Sequence, residues 1–377
     1  MHSDHEIAPV FVVGTGRCGS TLLSNMLRIH PDVLSLSEFM VAIADFGGRI
    51  AQSFPAHSLN AQELWAILGG CHPRQTTMVR HGCEVEEMIY PLRPGSRFDR
   101  STGVPAVMFA ALPHLTENPD ALFDELRSFV MTLDPALPVT QYQRVFEWLR
   151  RRFARRVWVE RSGGSLRAVT RLARAFPTAR FIHMIRDGRD CAMSMSRQLA
   201  FRLHVATTIQ SAVIGCDPFE CADRRHAWML PRKLRMLLPE HFDAQTLRSL
   251  PLPPALFGAH WSTEIRRGEA ALAALPRERV LTVHFEDLLQ QPAPCLRRMI
   301  AFIDPSLLDE QWVRDAAALA GSPRSSWRSL PAVERRLLEW SCIPGRRALA
   351  KMGHDRRPAP TSLAARDFAP QRAGSLG

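Results

Sequence analysis

Three groups of residues have the types and spacing for anion chemistry. The first is Gly14-Thr15-Gly16-Arg17-Cys18-Gly19-Ser20-Thr21, in which glycines, an arginine and hydroxyls follow an unbroken apolar run. A glycine-rich turn leading into a helix offers backbone N–H groups to a phosphate-like oxyanion, and the helix dipole favours the negative charge. The second is Arg186 with Ser194, behind the apolar stretch 180–185. A helix starting after Arg189 puts Ser194 in its second turn, so a guanidinium and a hydroxyl converge on one anion. The third is Glu38, a carboxylate at the end of a short apolar run, where open α/β sheets bind ligands.

The glycine stretch satisfies two patterns. Read as GxGxxG, with Glu38 nineteen residues beyond Gly19, it matches a dinucleotide-binding fingerprint whose acidic residue binds a ribose hydroxyl. Read as GxxxxGK[ST] with Ser20 in place of lysine, it is a loop of P-loop shape in which Arg17 supplies the charge. A glycine turn used only for packing is the blandest reading. The second anion group weighs against a NAD(P)-dependent dehydrogenase, which needs no such site. A nucleoside triphosphatase would carry lysine at position 20 and an aspartate-ended strand for magnesium. Neither rival accounts for both halves.

These residues need elements to hold them. The runs 10–13, 33–36, 157–159, 180–185 and 280–285 read as strands, because buried parallel strands are continuous apolar segments. Leu22, Leu23, Met26 and Leu27 share one helical face, as do Leu166, Val169, Leu172 and Phe176. Alternating strands and helices predict an α/β fold with a P-loop-like parallel sheet flanked by helices and a large helical insertion. The core then comprises 1–40 and 151–354, and 41–150 is a helical lobe expected to supply the acceptor pocket. The segment 355–377 is expected to be a disordered tail. In the lobe, Asn60 to Glu63 has capping-box spacing and Asn118-Pro119 suits a helix start. Tyr142, Val145, Phe146, Leu149 and Phe153 repeat as a core-facing stripe. Phe46, Phe54, Trp65 and Phe109 are candidates to line a partly apolar pocket, although each also suits a core.

Composition narrows the function classes. The chain carries a formal net charge of +11 with 46% hydrophobic and 23% charged residues, the balance of a globular protein. Lys233 and Lys351 are its only lysines. The arginine excess suits bidentate binding of phosphate or sulfate, and it is also what a GC-rich coding sequence produces. Basic residues are scattered and not interleaved with aromatics, so no nucleic-acid face is expected. The longest apolar run, 104–112, is far shorter than the ~20 residues of a membrane helix. The eight cysteines form no CxxC pair and no secretory leader is read, so reduced thiols and a cytoplasmic location are expected. Cys71 with His72 and Cys83 with His81 lack a ligand quartet, and no metal is expected. Glu84, Glu86 and Glu87 read as a solvated face, and His183 as a strand residue bonded to backbone.

The stretch from Gly16 to Leu23, followed by His30-Pro31-Asp32-Val33 and Glu38, resembles the 5′-phosphosulfate loop of sulfotransferases that use 3′-phosphoadenosine 5′-phosphosulfate (PAPS). Ile185-Arg186-Asp187-Gly188-Arg189-Asp190 with Ser194 resembles that family's 3′-phosphate motif. His284-Phe285-Glu286-Asp287-Leu288, Pro292 and the run 296–302 are similar to its late strand and helix, and Ser326-Trp327-Arg328 with 349–354 to its C-terminal lobe. The pattern is nearest to tyrosylprotein sulfotransferases and related bacterial sulfotransferases. The resemblance implies that Gly16, Arg17, Cys18, Gly19, Ser20 and Thr21 bind the 5′-phosphosulfate, and Arg186 and Ser194 the 3′-phosphate. It implies Glu38 as catalytic base, with Arg17 and Arg161 as catalytic cations and no metal. Adenosine 3′,5′-bisphosphate (PAP) is the implied product and a hydroxyl or phenol the acceptor. In three places the sequence departs from the pattern. Arg161 stands where tyrosylprotein sulfotransferases have lysine, Phe285 replaces a common tyrosine, and Leu22 and Leu23 stand where cytosolic members place an adenine-stacking tryptophan.

Overall fold

The computed structural model describes residues 8–83, 85–322 and 325–354. The expected tail at 355–377 and Glu84 lie outside the described residues. Five strands form one parallel sheet: β1 (Val10–Val13), β2 (Val33–Ser37), β3 (Val157–Arg161), β4 (Arg180–Ile185) and β5 (Val280–His284). Their order is β2-β3-β1-β4-β5. β1 and β2 are buried along their whole length, which is why they read as unbroken apolar runs. The last strand stops one residue earlier than its apolar run, because Phe285 opens a helix, Phe285–Gln290.

The central position of β1 fixes the site. Leaving β1, the chain turns through the glycine loop into helix α1 (Ser20–Arg28), at the carboxyl edge of the sheet. Register pairs Ser37 with Arg161 and His183 with Val13, so the ends of β2, β3 and β4 flank the loop. Helices flank the sheet, among them α2 (Gly188–Arg197), α3 (Leu199–Ile214) and α4 (Pro254–Ala273) between β4 and β5, and α5 (Ala332–Lys351) after the last strand. Asp187 caps α2 by accepting the Arg189 N–H at 2.8 Å.

Helices dominate 41–150, and the local signals there are realised. Asn60 and Glu63 form a reciprocal capping box, and Asn118 accepts from the Ala121 N–H ahead of the helix Pro119–Val130. Tyr142, Val145, Phe146 and Leu149 are fully buried. Phe146 packs edge-on against Phe39, just beyond β2, at 4.8 Å, and against Trp158 of β3, also at 4.8 Å. The lobe and the sheet therefore share one core.

Two expectations are corrected. Cys216 and Cys221 form a disulfide, so the eight cysteines are not all free thiols, and the expectation of a cytoplasmic location loses that basis. His183 does not bond backbone: its Nδ1 lies 3.2 Å from a carboxylate oxygen of Glu269. No helix among the described residues is long and apolar enough to cross a membrane.

Candidate active site

The loop after β1 depends on left-handed backbone at Gly16 (φ 76°), Arg17 (φ 55°) and Gly19 (φ 89°). Glycine adopts this region without steric cost, whereas Arg17 is strained there. Gly19 has a second reason to be glycine: a Cβ there would sit 2.0 Å from the Phe285 ring. The turn lets α1 begin at Ser20 with its first N–H groups aimed out of the helix, where no intrahelical acceptor exists. Cys18 points the other way. It is 1% exposed, its sulfur packs under Gly14, and burial pushes its thiol pKa up. Its thiol is therefore not placed to meet a ligand.

Arg17 and Ser194 meet across the loop, the Arg17 Nε donating to the Ser194 Oγ at 3.0 Å. Arg186 donates to the Arg17 carbonyl at 3.1 Å and lies over the Phe285 ring, 4.9 Å from its centroid. The two arginines of separate motifs are thus neighbours, as convergence on a doubly anionic ligand requires. The remaining Arg17 nitrogens pair with Glu87 at 3.3 Å and Glu86 at 3.2 Å. Glu87 is therefore not part of a solvated face, whereas Glu86 is exposed as expected, and burial is the main cause raising the Glu87 carboxyl pKa.

Glu38 and Arg161 form a buried ion pair, 3% and 2% exposed. Glu38 also has left-handed backbone, φ 56°. Its N–H donates to the Arg161 carbonyl at 2.6 Å, and its second carboxylate oxygen accepts the Gly163 N–H at 2.8 Å. Arg161 further donates to the Ser37 Oγ at 2.6 Å. Taking two charges out of water is offset only where further hydrogen bonds support the pair; the Gly163 N–H and the Ser37 hydroxyl supply two here, while the Arg161 Nε has none.

One cavity of about 390 Å³ joins these parts. Gly16, Arg17, Gly19, Ser20, Thr21, Glu38, Arg161 and Arg186 line it, whereas Cys18 and Ser194 do not. From the lobe come Phe46, Ile50, Phe54 and Ile89. Trp65 and Phe109 stay in the core: Trp65 packs on Phe123 at 4.9 Å, and Phe109 is 1% exposed.

This loop, the paired arginines and the carboxylate at the end of β2 lie within the part of the chain that a family model describes. The model of the sulfotransferase family matches residues 9–245, more than half of the 377 residues. The chain belongs to the sulfotransferase family. No curated protein matches it. Among solved structures, the sulfotransferase domain from the curacin biosynthetic pathway is similar at 15% identity and a TM-score of 0.46, over 92% of this chain and 98% of that one. Sulfotransferase STF9 from Mycobacterium avium is similar at 16% identity and a TM-score of 0.42, over 93% and 77%.

This family member also carries two buried polar residues that sequence reasoning missed, His114 on the cavity wall and Glu160 beside it but outside the lining. His114 lines the cavity, and burial, reinforced by Arg161 and Arg28, lowers its pKa to about 3, leaving a neutral imidazole. Glu160 is fully buried and accepts from the Met40 N–H at 3.0 Å and the Ser162 hydroxyl at 2.5 Å. Burial raises its carboxyl pKa to about 7. A charged residue continuing the apolar run Val157-Trp158-Val159 into the strand was the available signal for Glu160. No local signal marks His114.

Proposed function

We propose that this sulfotransferase moves the sulfuryl group of PAPS to a hydroxyl or phenol of a partly apolar acceptor and releases PAP. The observation that carries the reading is the gathering of Arg17, Arg161, Arg186 and Glu38 on the wall of one cavity at the N-terminus of α1. Sulfuryl transfer resembles phosphoryl transfer, in which positioning and fixed positive charge supply most of the catalysis.

On this reading the N–H groups of Gly19, Ser20 and Thr21 hold the 5′-phosphosulfate, and Arg186 with Ser194 holds the 3′-phosphate. The anionic donor takes the place of Glu86 and Glu87 on Arg17, exchanging one set of charge-assisted hydrogen bonds for another. Arg161 turns from Glu38 toward the sulfuryl oxygens. The acceptor oxygen bonds to sulfur as the bond from sulfur to the phosphate oxygen breaks, and that electron pair leaves on PAP. The acceptor proton passes to Glu38. Arg17, Arg161 and the helix N-terminus supply the charge neutralisation, so the scheme calls for no metal. Phe46, Ile50 and Phe54 favour an acceptor with an apolar body.

Supplying the protein with radiolabelled PAPS and a panel of lipophilic phenols and alcohols tests the reading. Acceptor-dependent transfer of label with equimolar PAP is expected. A nicotinamide-dependent absorbance change with no PAPS consumption would contradict it.

A further inference from the structure

Away from the cavity, three ligand-type side chains from distant parts of the chain meet between the sheet and the C-terminal helix. His183 stands in the middle of β4, Glu269 near the end of α4, and His354 just beyond α5. Their ligand atoms all lie within 4.8 Å of one another. His183 Nδ1 is 3.2 Å from one Glu269 oxygen, and His354 Nδ1 is 3.3 Å from the other. Ligands of tetrahedral zinc, at about 2.0–2.1 Å from the ion, stand roughly 3.3 Å apart. Each histidine stands at about that distance from its own Glu269 oxygen, and the full set, within 4.8 Å, needs only a small inward shift to close on one ion.

The placement of His354 is built rather than incidental. Gly353 has φ 74°, and the His354 N–H returns to the Leu349 carbonyl at 2.8 Å, the bond that closes a helix with a left-handed glycine cap. The imidazole Nε2 lies 3.3 Å from the Thr282 Oγ1. A partner on Nε2 fixes the ring and leaves Nδ1 to ligate, as outer partners of metal-binding histidines do.

His183 supplies the second observation. It is 0% exposed, and neither of its ring nitrogens makes a well-formed hydrogen bond, nor does the Glu269 oxygen facing it. Buried polar atoms are ordinarily satisfied. A cation at the centre would satisfy both histidines and the carboxylate at once. Imidazole and carboxylate together suit zinc and its neighbours, and three protein ligands leave a position for water beside half-buried His354.

We propose that His183, Glu269 and His354 bind one divalent transition-metal ion of the zinc class, which ties the end of α5 to β4 and α4. None of the three lines the cavity, so the ion serves the fold and takes no part in sulfuryl transfer.

The test uses untagged full-length protein, stripped by a chelator and titrated with ZnCl₂ alone. Calorimetry should give one zinc per chain, the melting temperature should rise, and CoCl₂ should give the visible bands of a low-coordinate site. Loss of an outer partner alone costs about 10- to 100-fold in metal affinity, so Glu269→Gln and His354→Ala should each weaken zinc by at least about tenfold, with PAP affinity unchanged. Should one variant fail to fold, the other carries the comparison, since Glu269→Gln keeps the side chain's shape and His354 lies at the half-buried rim. Absence of stoichiometric zinc binding by the wild type would overturn the proposal and leave a hydrogen-bonded His–Glu–His network. Wild-type zinc affinity in a folded variant would overturn it equally.

Discussion

Glu38 is held on both carboxylate oxygens, by Arg161 and by the Gly163 N–H, so its substitution separates roles cleanly. Glu38→Gln keeps the shape and removes what the proposed mechanism uses as proton acceptor. It should lower kcat by roughly 10²- to 10⁴-fold with PAP affinity nearly unchanged. Steady-state kinetics beside a PAP titration checks this, and a fall in nucleotide affinity at full turnover would make Glu38 a ribose ligand instead. Glu160 governs a pH effect. Burial raises its carboxyl from 4.5 to about 7, so between those values the folded state holds a proton that the unfolded chain has lost. Its contribution is therefore most favourable below the unfolded value and declines as pH rises through 7, by on the order of 3 kcal/mol in all. Melting temperatures between pH 5 and pH 8 should fall in the wild type and stay flatter in Glu160→Gln. Parallel curves would show that Glu160 is not the group titrating.

At the scale of elements, the loop between β1 and α1 makes the sharpest demand. Gly19→Ala must place a Cβ where the Phe285 ring stands and hold alanine at φ 89°. Nucleotide binding should weaken by at least about tenfold, because the N–H groups at the start of α1 move with the turn; unchanged PAP affinity would remove the loop from the donor site. All five strands were legible in the sequence because parallel strands buried on both faces are continuous apolar runs. The capping box at Asn60 and the start at Asn118 were legible because capping is local. The contacts of Arg17 with Glu86 and Glu87 were not legible, since they join residues 69 and 70 apart, and no local rule carries that information. The Cys216–Cys221 link escaped notice because absence of CxxC says nothing about a five-residue spacing.

For the whole molecule, the helical segment 41–150 shares a core with the sheet and sends to one cavity both the apolar Ile50 and Phe54 and the Glu86 and Glu87 that hold Arg17, so on the proposed function Ile50 and Phe54 bear on the acceptor alone. Ile50→Ala should raise the acceptor KM by about tenfold, the scale of lost apolar contact in a pocket, and leave PAP affinity unchanged. A matching loss of PAP affinity would place the lobe's role at the donor instead. The pairing of motifs some 170 residues apart, with Arg186 donating to the Arg17 carbonyl, is the molecule-wide feature on which the donor assignment rests. Calorimetric titration of wild type and Arg186→Ala with PAP and with AMP tests it most directly. PAP should bind the wild type far more tightly than AMP, and Arg186→Ala should cost PAP about 1.5–3 kcal/mol, the worth of a charge-assisted hydrogen bond, while AMP changes little. Equal affinity of the wild type for PAP and AMP would contradict the account.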